Sequence, residues 1–231
     1  MATKVKSEGK CRLCGKKFSK GSMANHLRSC REKSTAKWDT KTQRKTRTFH
    51  IVVEGSPYHW LHVEASAEVT LADLDNLLRR IWLECCGHCS DFEIEGTRYS
   101  GASDMGWSEF DDESMDKRLG NVLRKGMKFR HTYDYGTTTE CQLRVVSEGA
   151  APVKKRSVQI LARNEPLDIP CIECDKPARH VCTECMWDGE GWLCDDCLAE
   201  HECGDEMALP AVNSPRAGMC AYTGGDEDEE F

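Results

Sequence analysis

Thr70-Leu71-Ala72-Asp73-Leu74-Asp75-Asn76-Leu77-Leu78-Arg79-Arg80-Ile81 is the stretch on which the fold class turns. Leu71, Leu74, Leu77, Leu78 and Ile81 recur at helical spacing, which predicts a helix with one core-facing stripe. Thr70 precedes the stripe and Asp73 stands three residues on, a relative of the capping box that starts helices. The flanking sequence has a different period. Residues 48–53 and 60–64 read as strands, separated by the turn-forming Gly55-Ser56-Pro57. Residues 92–95 form a short strand ending at Gly96, and Leu119, Val122 and Leu123 point to a brief helix before Gly126. Residues 129–135 and 141–146 alternate, with Gly136, Thr137, Thr138 and Thr139 linking them as a hairpin. Two strands, a helix and more strands predict an α+β domain over 48–150, in β-grasp-like order.

Beyond this domain the cysteines take over. Cys171 and Cys174, Cys182 and Cys185, Cys194 and Cys197, then His201 and Cys203 come in pairs. Two residues between cysteines let one turn aim both thiolates at a single ion. Residues 166–222 therefore read as a two-zinc Cys/His module. The expected arrangement is interleaved, the first and third pairs on one ion and the second and fourth on the other. The eighth ligand is Cys203, two residues after His201, or Cys220. His180 reads as a packing residue. Residues 151–165 are a linker in which 158–162 form a strand leading into this module, and 223–231 are an acidic tail.

At the other end, residues 1–32 look like a zinc finger with a basic N-terminus. Cys11 and Cys14 sit on a knuckle, Phe18 plugs the core, and His26 and Cys30 share one helix face four residues apart. So small a unit buries too little apolar surface to fold without metal. The pattern is similar to the zinc-finger family with two cysteines and two histidines, with Cys30 in place of the last histidine. Together the two modules call for about three zinc ions. Residues 33–47 form a basic linker. Residues 1–48 carry 15 Lys/Arg against three acids, a charge of +12, which leaves −19 on the remainder of a chain whose net charge is −7. Such asymmetry predicts a basic arm for a polyanion such as DNA or RNA, or one folded onto acidic surface.

Cys85, Cys86, His88 and Cys89 cluster at the end of the predicted helix, with Cys141 able to approach from the last hairpin. They read as buried small hydrophobes, as a further metal site, or as redox thiols. The 15 Cys among 231 residues fall below the density of a short disulfide scaffold. No signal peptide opens the chain and no long apolar run spans a membrane, so the expectation is reduced thiolates on metal in the cytoplasm. Phosphate-loop, His-Glu-x-x-His and Gly-x-Ser-x-Gly motifs are missing.

The order of motifs in the central domain is similar to that of a known family. Thr70-Leu71-Ala72-Asp73-Leu74, Phe92-Glu93-Ile94 with Gly96, Arg98 and Tyr99, Arg118-Leu119-Gly120-Asn121-Val122-Leu123, and Tyr133-Asp134-Tyr135-Gly136 resemble the Ri-plasmid (pRiA-type) ORF-three-like family, related to the insertion-element passenger protein TnpR. The resemblance covers about 100 residues. It implies an α+β fold and a link to mobile elements, and it marks Asp134 as a candidate functional residue or a turn aspartate. After Gly136 the family shows an acid, a tryptophan and a histidine, where this chain has Thr137, Thr139 and Cys141.

Three functions fit these residues. A nucleic-acid-binding adaptor would use Asn25 and Arg28 on the finger helix, with Lys16, Lys17, Lys20 and Arg31 on phosphates. A protein-interaction scaffold would use Trp187 and Trp192. An enzyme would use a cleft holding Asp134, His131 and the Cys85–Cys89 cluster; fully ligated zinc sites argue for binding over catalysis.

Overall fold

The residues expected as strands at 48–53 and 60–64 form two long strands, β3 (Thr46–Glu54) and β4 (Trp60–Ser66), paired antiparallel with Phe49 opposite Ala65 and Val53 opposite Leu61. Ser56 makes the turn between them, its hydroxyl accepting from the backbone of Tyr58 at 3.2 Å and His59 at 3.1 Å. The chain is described by a computed structural model over residues 5–35, 45–101, 112–151 and 157–225. Most of the expected basic linker and the acids of the tail lie outside the described residues.

The capping box forms. Thr70 Oγ1 accepts from Asp73 N at 3.2 Å, and the Asp73 carboxylate accepts from Thr70 N at 2.8 Å. This starts α2 (Leu71–Leu78), after which Arg79–Leu83 winds as one π turn and still buries Ile81, Trp82 and Leu83. The helix expected through Ile81 is therefore shorter in its α-helical part and wider at its end.

Further strands complete the sheet: β5 (Ser90–Ile94), β6 (Thr97–Ser100), β7 (Glu113–Ser114), β8 (Lys128–Tyr133) and β9 (Thr139–Ala151), with a short α3 (Leu119–Val122) between β7 and β8. The finger supplies β1 (Glu8–Cys11), β2 (Lys17–Ser19) and α1 (Lys20–Thr35). Among the described residues, all join one ten-stranded sheet of order β2-β1-β10-β4-β3-β9-β8-β5-β6-β7, antiparallel except β6–β7. The link is β10 (Val158–Asn164), which pairs β4 on one side and β1 on the other. The segment expected as a linker strand is thus inside the sheet, and the finger is continuous with the central domain.

Period two explains the layers. Leu61, Val63 and Ala65 face the main core with Phe49, Ile51, Leu74, Leu78, Ile81 and Trp82. Trp60 faces the other way, packing with Met23 and Leu27 of α1 and with Leu161 and Ala162 of β10. The α1 helix therefore covers the face opposite α2. The C-terminal module adds a small sheet, β12 (Trp192–Leu193), β11 (His180–Cys182) and β13 (Ala208–Pro210) in that order, and a single-turn α4 (Asp195–Leu198).

Candidate metal centres

The N-terminal quartet is built by a knuckle and a helix. Cys11 ends β1, and Gly15, at φ 74°, closes the turn by donating to Cys11 O at 2.8 Å. His26 and Cys30 lie one turn apart on α1. Cys11 and Cys30 sulfurs are 4.0 Å apart and Cys14 Sγ is 3.3 Å from His26 Nε2. Phe18 stacks on the His26 ring at 3.9 Å, which fixes its orientation.

The C-terminal module holds two quartets in the crossed arrangement. Cys171, Cys174, Cys194 and Cys197 form one, and Cys182, Cys185, His201 and Cys203 the other, the ligand atoms of each within 4.8 Å of one another. Cys174 lies 3.5 Å from Cys194 and 3.4 Å from Cys197; Cys185 lies 3.5 Å from His201 Nε2 and 3.6 Å from Cys203. The strand β11 carries the chain from the first quartet to the second, and β12 returns it to Cys194, which caps α4. Leu193 is the apolar centre, with Leu198 and Met207 against it. His180 is no ligand: its Nε2 lies 2.8 Å from Asp195 Oδ1. Trp187 is 64% exposed, whereas Trp192 is half-buried and opposite Val181.

A fourth quartet stands apart, joining Cys85, Cys86, His88 and Cys220. Cys86 is 2.9 Å from His88 Nε2 and 3.7 Å from both Cys85 and Cys220. Cys220 therefore belongs here, leaving Cys203 in the eighth position of the C-terminal module. Cys89 and Cys141 are not part of it. Cys89 faces solvent, and Cys141 is wholly enclosed, where burial pushes its thiol up to about 12.

The donor sets fit zinc. A Zn–S bond of about 2.3 Å implies tetrahedral sulfur–sulfur edges of about 3.8 Å, and the sulfur pairs above span 3.4–4.0 Å. All 15 cysteines are unbridged. Among the described residues, four clusters able to hold a metal ion replace the three expected from sequence.

Comparison with known proteins adds little. No family model and no curated protein matches the sequence. Among solved structures, a protein of unknown function from Methanosarcina mazei Go1 is 17% identical over 52% of this chain and 68% of its own, with a TM-score of 0.38. So low a score carries no argument about fold or function.

The remaining candidates divide sharply. Asn25 and Arg28 face outward on α1, and Lys16 is exposed on the finger turn. Arg31 instead turns inward to pair with the buried Glu64, Lys17 pairs with Glu165 at 2.5 Å, and Lys20 with Glu54 at 3.0 Å. Basic residues counted as phosphate contacts are thus partly taken by the acidic sheet. Asp134 is in the left-handed region at φ 62°, and its carboxylate accepts from Gly136 N at 2.9 Å, an Asx turn. The same carboxylate binds Arg216 Nη2 at 2.5 Å, which no sequence pattern had singled out. Burial opposes ionisation of Asp134, but the Arg216 hydrogen bond and the backbone of Gly136 and Thr137 hold its pKa below the usual carboxylate value. His131 is enclosed in the core, where its ring lies 2.6 Å from Asp75.

Proposed function

We propose that this chain is a zinc-held, non-enzymatic adaptor that grips nucleic acid through its N-terminal finger. The observation that carries this is the stance of α1. Met23 and Leu27 hold it on Trp60, while Ser22, Asn25, Arg28 and Ser29 point outward beside Lys16 on the basic segment. A cleft of about 650 Å³ flanks the helix, lined by Arg28 and Lys125, by Arg31 in its pair with Glu64, and by Glu32 and Glu148. The exposed pairs made by Lys17 and Lys20 are weak in water and can exchange for phosphate. One finger spans only about three base pairs, so residues 1–47 would add sequence-independent contacts and a partner would supply specificity. Saturated ligand sets leave no coordination position for a reacting water, which supports binding over catalysis.

The motifs from Thr70 to Gly136 support placing the central domain with the ORF-three-like group and hence with mobile elements. Fifteen unbridged cysteines suit the reducing cytoplasm. Among the described residues, no helix is long and apolar enough to cross a membrane.

A second reading rests on Trp187, whose exposure offers a protein partner an aromatic anchor on the C-terminal module. Filter retention of labelled DNA and RNA at two salt concentrations separates the two. Retention is expected at low salt, falling steeply as salt rises through counterion release. Arg28→Glu should weaken it about tenfold or more, since a charge reversal replaces a phosphate contact by repulsion, and Trp187→Ala should leave it unchanged. No retention of any nucleic acid at low salt would remove the first reading and leave the scaffold.

A further inference from the structure

After β13 the chain turns back from the paired quartets and threads through the central domain. Arg163 Nη2 donates to Asn213 O at 2.6 Å, Asn164 Nδ2 donates to Asn213 Oδ1 at 2.7 Å, and Asn213 Nδ2 donates to the Asn164 carbonyl at 3.0 Å. Ser214 Oγ donates to Trp82 O at 2.7 Å. Pro215 packs on Gly55, where a Cβ would come within 2.6 Å of it. Arg216 is 0% exposed: Nη1 donates to Thr137 O at 2.9 Å and Thr139 Oγ1 at 3.0 Å, Nη2 donates to Asp134, and the guanidinium lies over the Tyr133 ring. Tyr222 is buried beyond it, its hydroxyl donating to Ile81 O at 3.4 Å. A buried guanidinium persists only where its charge is matched, so this groove is built for the segment.

Between Arg216 and Tyr222 stands Cys220. Its sulfur lies 3.2 Å from His88 Nε2 and 3.7 Å from Cys86 Sγ, across 132 and 134 residues of sequence. Gly87, at φ 79°, turns the chain so that Cys86 and His88 converge. On the other strand of the site, Cys220 and Ala221 take φ 48° and 55°, a left-handed pair that side chains rarely adopt and that persists only when surroundings impose it. Cys141 shows what a packing cysteine looks like in this protein, fully enclosed; Cys86 and Cys220 are instead exposed. Three thiols and an imidazole meeting at the surface, with sulfur edges of tetrahedral length, form a complete zinc donor set.

We propose that Cys85, Cys86, His88 and Cys220 bind a zinc ion, and that this ion locks the C-terminal segment, and with it the paired-quartet module, onto the central domain. This goes beyond the adaptor reading and does not depend on nucleic-acid binding. Binding turns the three thiols into thiolates and releases their protons to solvent. Three ligands come from the end of the π turn and its loop, and one from the segment, so the ion binds fully only when the segment is docked. By mass action, zinc then shifts the docking equilibrium toward the closed form.

The test takes the full-length protein, purified reduced and free of chelator, counts zinc by elemental analysis and probes docking with trypsin. The wild type is expected to hold four ions, one for each quartet, and to resist cleavage after the enclosed Arg216. Cys220→Ser should hold one ion fewer and be cut after Arg216 about tenfold faster or more, because cleavage tracks the open population. Cys220→His keeps a ligand and should restore both the count and the protection; Cys89→Ser, outside the quartet, should change neither. A wild type with only three ions, or a Cys220→Ser protein that keeps the wild-type count, overturns the site. Loss of the ion with Arg216 still protected overturns the lock. If Cys220→Ser does not accumulate, the wild-type count and the Cys220→His protein still decide, since three ions in either refutes the fourth site.

Discussion

His50 and His62 meet across β3 and β4, Nε2 to Nδ1 at 2.9 Å, on the face that α1 covers. Burial first, and then neighbouring charge from Arg144 and, for His50, also from His62 and Arg31, pushes each down to about 3. Both are neutral in the fold. An unfolded histidine takes up its proton near pH 6.5. Between that pH and about 3 the unfolded chain binds more protons, so stability falls as pH is lowered through the window. Each histidine contributes a slope of at most ~1.4 kcal/mol per pH unit. Urea midpoints between pH 6.5 and 4.5 should therefore vary less steeply in His50→Leu/His62→Leu than in the wild type, both zinc-saturated. An equal slope would mean that these rings do not sense the fold. The two strands were legible from the turn residues between them, but an antiparallel sheet commonly leaves one face to water. Here His50, His62 and Glu64 occupy that face and are buried, because a helix encoded some 30 residues earlier covers it. Arg31 likewise looked like a phosphate contact, and only the fold shows its partner Glu64.

At the level of elements, what was legible was what local chemistry decides. The Thr70–Asp73 capping box and each Cys/His pair depend on neighbours a few residues away, the crossing of the pairs on partners some 20 residues away, and all are found where the spacing puts them. The place of β10 depends on hydrogen bonds to β4 and β1, about 100 and 150 residues distant, and no short window encodes that choice. The junction rests on Gly9. A Cβ there would collide with the Arg163 carbonyl and the Trp60 ring, so β1 can approach β10 only without a side chain. Gly9→Ala should lower stability by about 1–3 kcal/mol, the range for overpacking a tight contact. Hydrogen exchange should localise the damage, with protection lost in 8–11 and 158–164 and kept in 128–133. Of the quartet only Cys11 ends the strand that forms the junction, and Cys14, His26 and Cys30 lie on the knuckle and α1, so the zinc count should hold. Uniform loss of protection across all the strands would show that the finger is not a separable element of the sheet.

For the whole molecule the apolar residues are unevenly shared. Among the described residues the main core joins α2, the π turn and strands of the large sheet from β3 to β10, whereas the C-terminal module clusters only Leu193 and its cysteines, with Leu198 and Met207 at the margin. So few apolar side chains cannot hold the module compact against the conformational entropy of its chain, and structural zinc, whose binding free energy is folding free energy in small metal-held domains, supplies the missing stability. The finger is intermediate, since Met23 and Leu27 rest on Trp60 of the sheet as well as on their own quartet. Metal removal should therefore dismantle the molecule in order. With a strong chelator at neutral pH under reducing conditions, amide protection in 180–210 should vanish, that in 8–30 should fall, and that in 46–66 and 128–146 should persist. Heating should then show a central-domain transition without the contribution of the module, and added zinc should restore the lost protection. If 180–210 stay protected in fully metal-free protein, the module folds on its own apolar contacts and zinc does not hold it together.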